Sequence, residues 1–248
     1  FVQAGGWPHI FPDISRTAMR DWSPVMGLPL WVWLFVLPSL FGVVCLIAGP
    51  RLEVLLRPVW RILDGVYLAS GAVAAGFMVT ILALIVLGMV ARWTGVAVPG
   101  TTEFAGYAMA ATSFFALCHA MTRGAHIRVS IILNANQFLK RWLDVVAVFG
   151  AAVIATYFAR YAIKTNMFSE MLNDRTQGQD QIPEWVVALF SLDWAGATSG
   201  GADLVYTPVW IPQLSMSIGT VLLAICLWDT LYRMLVTGVN PIVSEAVE

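Results

Sequence analysis

Residues 101–133 read TTEFAGYAMAATSFFALCHAMTRGAHIRVSIIL. From Phe104 to Thr122 there is no Asp, Glu, Lys or Arg, and the chain then changes at once to a basic segment carrying Arg123 and Arg128. Roughly 20 apolar helical residues cross a hydrocarbon core about 30 Å thick, so the first part reads as a membrane span. Lys and Arg in short connections stay on the cytoplasmic side, so the second part marks which side that span ends on.

Working outward, the composition agrees with this reading. Hydrophobic residues make up 59% of the 248-residue chain, charged residues 12%, and the mean hydropathy is +0.76. Soluble domains do not reach these values, so the fold class is all-α integral membrane with about five transmembrane helices. The expected bodies are Leu28–Ala48, Val66–Ala91, Glu103–Thr122, Trp142–Ile163 and Ile211–Leu235. Pro38 predicts a kink in the first. The fourth has only Val145–Ala159 free of charge, so spanning requires Asp144 at one interface and a snorkelling Arg160 at the other. The first run begins well inside the chain and has no small-residue cleavage pattern before Arg51, which predicts a retained helix and not a secretion signal.

The connections alternate in charge. Arg51, Arg57 and Arg61 precede the second span, and Arg123, Arg128, Lys140 and Arg141 separate the third from the fourth with no acid between Thr122 and Trp142. By contrast, Lys164–Thr207 sets only Lys164 and Arg175 against Glu170, Asp174, Asp180, Glu184, Asp193 and Asp203. The positive connections are inside and the acidic one outside, which places the N-terminus outside and the C-terminus inside. Two connections also read as amphipathic helices lying in the interface. One has Ile127, Ile131, Phe138 and Trp142 near helical spacing among polar residues; the other opens at Pro183-Glu184 and carries Trp185, Leu189, Phe190 and Trp194 before Gly196–Gly201. A plain loop with anchoring tryptophans is the alternative for the second.

Chemistry-bearing patterns are sparse. HExxH, GxSxG and phosphate-binding glycine loops are absent, so the chain is not expected to be an enzyme. Cys45, Cys118 and Cys226 fall singly in three spans and read as small buried hydrophobes, which leaves no zinc or disulfide pattern. His119, one turn before Arg123, could ligate a haem or pigment, but an imidazole so near the span end is satisfied equally by water, headgroups or a neighbouring helix. No cofactor and no nucleic-acid partner are expected. Glu103 reads as a helix-opening acid, with Thr101 or Thr102 capping. Asp229 and Arg233 have i,i+4 pairing distance. Small residues in AGYAMAATS and along Ala69–Gly76 permit close helix packing.

The same 101–133 stretch resembles the signature region of the small membrane subunit of tripartite ATP-independent periplasmic (TRAP) transporters, the DctQ-like family. In that family an acid opens a helix that ends in a basic, Gly- and His-containing turn before an Ile/Val-rich segment. Glu103 matches the acid, Arg123-Gly124 the turn, and His126-Ile127 with Val129 the following segment. Ser130 stands where the family usually has aspartate, and Thr101-Thr102 where a tryptophan is usual. The resemblance covers about residues 62–238 as a four-helix core, with the outer connection at 164–207. Residues 1–27 form an outer segment, 28–61 an extra helix with a basic loop, and 239–248 a cytoplasmic tail. It implies a bacterial inner-membrane, non-catalytic subunit that scaffolds a large multi-span permease for organic-acid uptake, with a periplasmic binding protein as further partner. It also implies that Glu103, Arg123, His126, Arg128, Lys140 and Arg141 contact the partner or lipid headgroups. The extra helix and long outer connection motivate a second reading, an accessory subunit of another multisubunit membrane complex, respiratory or photosynthetic.

Overall fold

The computed structural model describes residues 24–123, 137–199 and 203–237. The order is β1 (Pro24–Val25), β2 (Leu28–Pro29), α1 (Val32–Ala48), α2 (Pro50–Thr94), α3 (Thr101–Thr122), α4 (Gln137–Met171), β3 (Gln181–Pro183), α5 (Glu184–Phe190), α6 (Trp194–Ser199), β4 (Leu204–Tyr206) and α7 (Trp210–Thr237). Helices α2, α3, α4 and α7 are each long and apolar enough to cross a membrane, in agreement with the all-α membrane class.

The first apolar run differs from the expectation of a fifth span. Leu28–Pro29 is extended, and Gly49 at φ 49° turns the chain directly after Ala48, which leaves a helix of about 25 Å. Pro38 cannot donate to the preceding turn, and the chain absorbs this in a widened turn over Val32–Val36 ahead of it. The basic loop expected after it is also absent: α2 begins at Pro50, so Arg51, Arg57 and Arg61 are helical, and Arg57 pairs with Glu53 at 3.0 Å.

Helix ends follow local chemistry. Gly95 at φ 70° closes α2, with the Val96 amide on the Ala91 carbonyl at 3.1 Å. Asn173 at φ 52° closes α4 in the same way, with the Asp174 amide on the Ser169 carbonyl, so α4 continues well past Ile163. The start of α4 at Gln137 also takes Phe138 and Trp142 into the fourth span's own first turns; Ile127 and Ile131 lie outside the described residues.

The described residues divide into two compact units, one of residues 24–27, 75–112, 161–199 and 203–217, the other of residues 28–74, 113–123, 137–160 and 218–237. In the second unit, Ala152, Ala155 and Ala159 on α4 form a small-residue face against Leu227, Trp228 and Leu231 of α7. Tyr67, Cys118 and Cys226 join α2, α3 and α7, and all three cysteines are free and buried. Arg160 is 9% exposed, so it is held inside the protein where snorkelling was expected. In the first unit, β3 and β4 pair antiparallel, with Ile182 opposite Val205. The hairpin closes the connection that follows α4. Sequence reading had assigned no strand there, because three-residue strands carry too little alternation to register.

Candidate interface sites

One polar cluster forms where α3 begins. Gly100 at φ 80° precedes the helix and its carbonyl accepts the Phe104 amide at 2.9 Å, so glycine occupies the cap position and Thr101 is already helical. A Cβ at Gly100 would lie 2.9 Å from the Gln179 carbonyl oxygen, so the backbones of the α3 start and the 178–181 segment touch. Glu103 Oε1 accepts the Gln179 amide at 3.3 Å. One turn on, the Tyr107 hydroxyl donates to Asp180 Oδ2 at 2.6 Å, and the Thr176 hydroxyl to Oδ1 at 2.9 Å. The Thr207 hydroxyl donates to the Asp180 carbonyl. Asp180 is fully buried, which a carboxylate tolerates only with its oxygens occupied in this way.

Arg175 reinforces the same segment through the Tyr206 carbonyl and Asn173 Oδ1, each at 3.1 Å. Partial burial lowers its pKa, with Glu184 opposing, and the guanidinium stays charged. Beside the cluster lies a cleft of about 1020 Å³ bordered by Arg92, Glu103, Gln179, Gln181 and Tyr206.

The second cluster centres on Arg233 near the end of α7. Its Nε meets Asp229 Oδ2 at 3.0 Å and its Nη2 meets Asp64 Oδ1 at 2.7 Å and the Trp60 carbonyl at 3.3 Å, with the guanidinium 5.3 Å from the Trp60 ring centre. The Tyr67 hydroxyl also donates to Asp229, at 3.1 Å. The expected i,i+4 pair is therefore present, and α2 contributes three residues to it that spacing alone did not show. Nearby, the Tyr232 hydroxyl donates to the Pro38 carbonyl and fixes α1 to α7.

Of the basic residues singled out in sequence, Arg123 follows α3 and, with Asp64, Tyr67, Leu68, His119 and Thr122, borders a cleft of about 210 Å³. The His119 ring lies against Gly71, and its Nδ1 is buried without a hydrogen-bond partner among the described residues. His126 and Arg128 lie outside the described residues, and of Lys140 and Arg141 only the helical backbone is described. Asp180, Tyr107 and Tyr67 were missed. Asp180 is one acid among several in a polar stretch, and only the flanking Gly178 and the Gly100 turn hint at a close backbone approach.

Residues 81–192 match the family described as tripartite ATP-independent periplasmic transporters, DctQ component. No curated protein and no solved structure matches the chain.

Proposed function

We propose that this chain, a DctQ-like small membrane subunit of a tripartite ATP-independent periplasmic transporter by its residues 81–192, is the fixed scaffold on which the large permease subunit sits during organic-acid uptake. The observation that carries the scaffold role is the state of the buried acids. Asp180 and Asp229 are each occupied by structural partners, Tyr107 with Thr176 and Arg233 with Tyr67, which leaves neither as a relay or coordinating group. Ion-coupled carriers place such groups at the substrate path. A second support is the outward apolar surface of α2, whose most apolar stretch is 6% buried within the protein against 56% for α7. In a bilayer that surface meets lipid or another membrane subunit.

The subunit is multi-pass in the inner membrane; with the start of α2 and the end of α7 on the cytoplasmic side and α1 short of a span, both termini are cytoplasmic in this reading, where five spans would have placed the N-terminus outside. Arg123, His126, Arg128, Lys140 and Arg141 then face cytoplasmic headgroups or the permease, and Glu103 stands at the periplasmic end. Co-expression with the large permease tests the role: the two are expected to co-purify, and uptake in proteoliposomes is expected to require both. Full uptake by the permease alone would overturn it. Impermeant thiol reagents on single cysteines at Gln3 and Ala246 read the orientation directly.

A further inference from the structure

We infer that α5 and α6 form a membrane-lying anchor whose outward face sinks into the leaflet that meets the N-terminal end of α3. Trp185, Leu189, Phe190, Leu192 and Trp194 are 43%, 42%, 44%, 42% and 67% exposed, although they lie within ten residues of one another. Trp185 and Leu189 are one turn apart on α5, and Phe190, Leu192 and Trp194 carry the apolar surface round the corner into α6.

The corner is built to turn those side chains outward. The Asp193 amide bonds to the Ala188 carbonyl at 2.9 Å, and the Asp193 carboxylate accepts the Gly196 amide at 3.1 Å. A Cβ at Gly196 would stand 3.2 Å from Ala188 Cβ and 2.6 Å from Asp193 Oδ2, so the two helices close on each other through their small residues. Leu192 occupies the left-handed position at φ 57°, where glycine or asparagine is usual. The steric cost of that backbone is the same in water and in lipid; what an apolar surrounding accounts for is the exposed leucine side chain itself.

Depth points to lipid as that surrounding. Tyr107 lies in the second turn of a membrane-spanning helix and holds Asp180, and α5 begins at Glu184. Four residues reach at most about 14 Å, so α5 starts close to the headgroup layer. The segment from Trp185 to Ser199 contains no Lys or Arg, and its one acid, Asp193, is turned into the first turn of α6. Hydrophobic insertion, not attraction to anionic headgroups, therefore drives the seating. A docking site for a soluble protein would carry free polar groups among its apolar ones; from Trp185 to Thr198 the exposed polar side chain is Thr198, and its hydroxyl is already bonded to the Trp194 carbonyl at 2.9 Å.

Nitroxide labels on Leu189→Cys and Trp194→Cys, with Gln181→Cys as the water-facing control, test this in the full chain. The chain is reconstituted alone in vesicles of phosphatidylethanolamine and phosphatidylglycerol, and the buried native cysteines stay unlabelled. Oxygen is expected to relax the first two labels several-fold more than a water-soluble nickel chelate does, the control showing the reverse, with no change at high salt or in vesicles lacking phosphatidylglycerol. Chelate-accessible labels at Leu189 and Trp194 would overturn the inference. So would shielding that develops only when a periplasmic binding protein is added, which would mark a protein-docking face.

Discussion

Tyr107 and Asp180 are 73 residues apart in the chain, and their side chains meet at 2.6 Å. The bond joins the second turn of a span to a fully buried carboxylate in the connection after α4, and with Glu103 and Thr207 it ties that connection down at several points. In Asp180→Ala the hydroxyls of Tyr107 and Thr176 lose their acceptor, at about 1–3 kcal/mol. Tryptic cleavage at Arg175 in detergent is then expected to speed up about tenfold, equivalent to ~1.4 kcal/mol, with Asp180→Asn in between because its amide oxygen still accepts. Cleavage at the wild-type rate in Asp180→Ala would show that the connection is held by other contacts.

The second prediction concerns Gly71, where an added Cβ would lie 2.6 Å from His119 Cγ. Gly71→Ala is expected to lower stability by about 1–3 kcal/mol, since the imidazole must shift. Adding His119→Ala removes the obstruction, so the double variant is expected to be more stable than the sum of the singles. Additive melting temperatures would reject contact between these two positions.

Gly219 is expected to be less tolerant still. Its added Cβ would meet Phe114 at Cβ (2.7 Å) and at the backbone carbon and oxygen (2.8 Å), and backbone cannot swing aside as a ring does. Gly219→Ala should therefore melt lower than Gly71→Ala when both are measured in the same detergent, because it pushes α7 away from the α3 backbone at Phe114. The reverse order would count against the packing described.

Arg233 neutralises Asp229, which is 5% exposed. Arg233→Met strands that carboxylate, at about 3–5 kcal/mol, and Arg233→Met with Asp229→Leu is expected to recover most of the loss. Asp64→Asn removes only the outer arm of the network; the Asp64 side chain is 57% exposed, and the change should cost less than about 1 kcal/mol. Equal losses from Arg233→Met and Asp64→Asn in denaturant titrations would show that burial does not separate the two acids.

The spans α2, α3, α4 and α7 were legible because each is a long apolar run whose transfer to hydrocarbon is a sum over its own residues. The α5 segment was legible too, since Pro183-Glu184 and the Trp185/Leu189 spacing are local signals. Leu28–Ala48 was overread. Hydropathy does not register that Gly49 turns the chain back, nor that a 17-residue helix is fixed to α7 through Tyr232. At the Arg233 cluster, the pairing with Asp229 was visible at i,i+4, while Tyr67, Asp64 and Trp60 were not, because they come from another helix.

By itself, then, the sequence determined the membrane class, the four spanning helices, the charge asymmetry of the connections and the similarity of residues 81–192 to the DctQ component family. These depend on composition and short-range pattern, which each segment carries wherever it is placed. Only the tertiary structure decided which acids are buried and satisfied, that α1 falls short of a span, and that α5 and α6 turn their aromatic residues outward. Those outcomes rest on partners such as Tyr107 for Asp180 and Tyr67 for Asp229. Burial and hydrogen bonding belong to pairs brought together by folding, and no single segment specifies them.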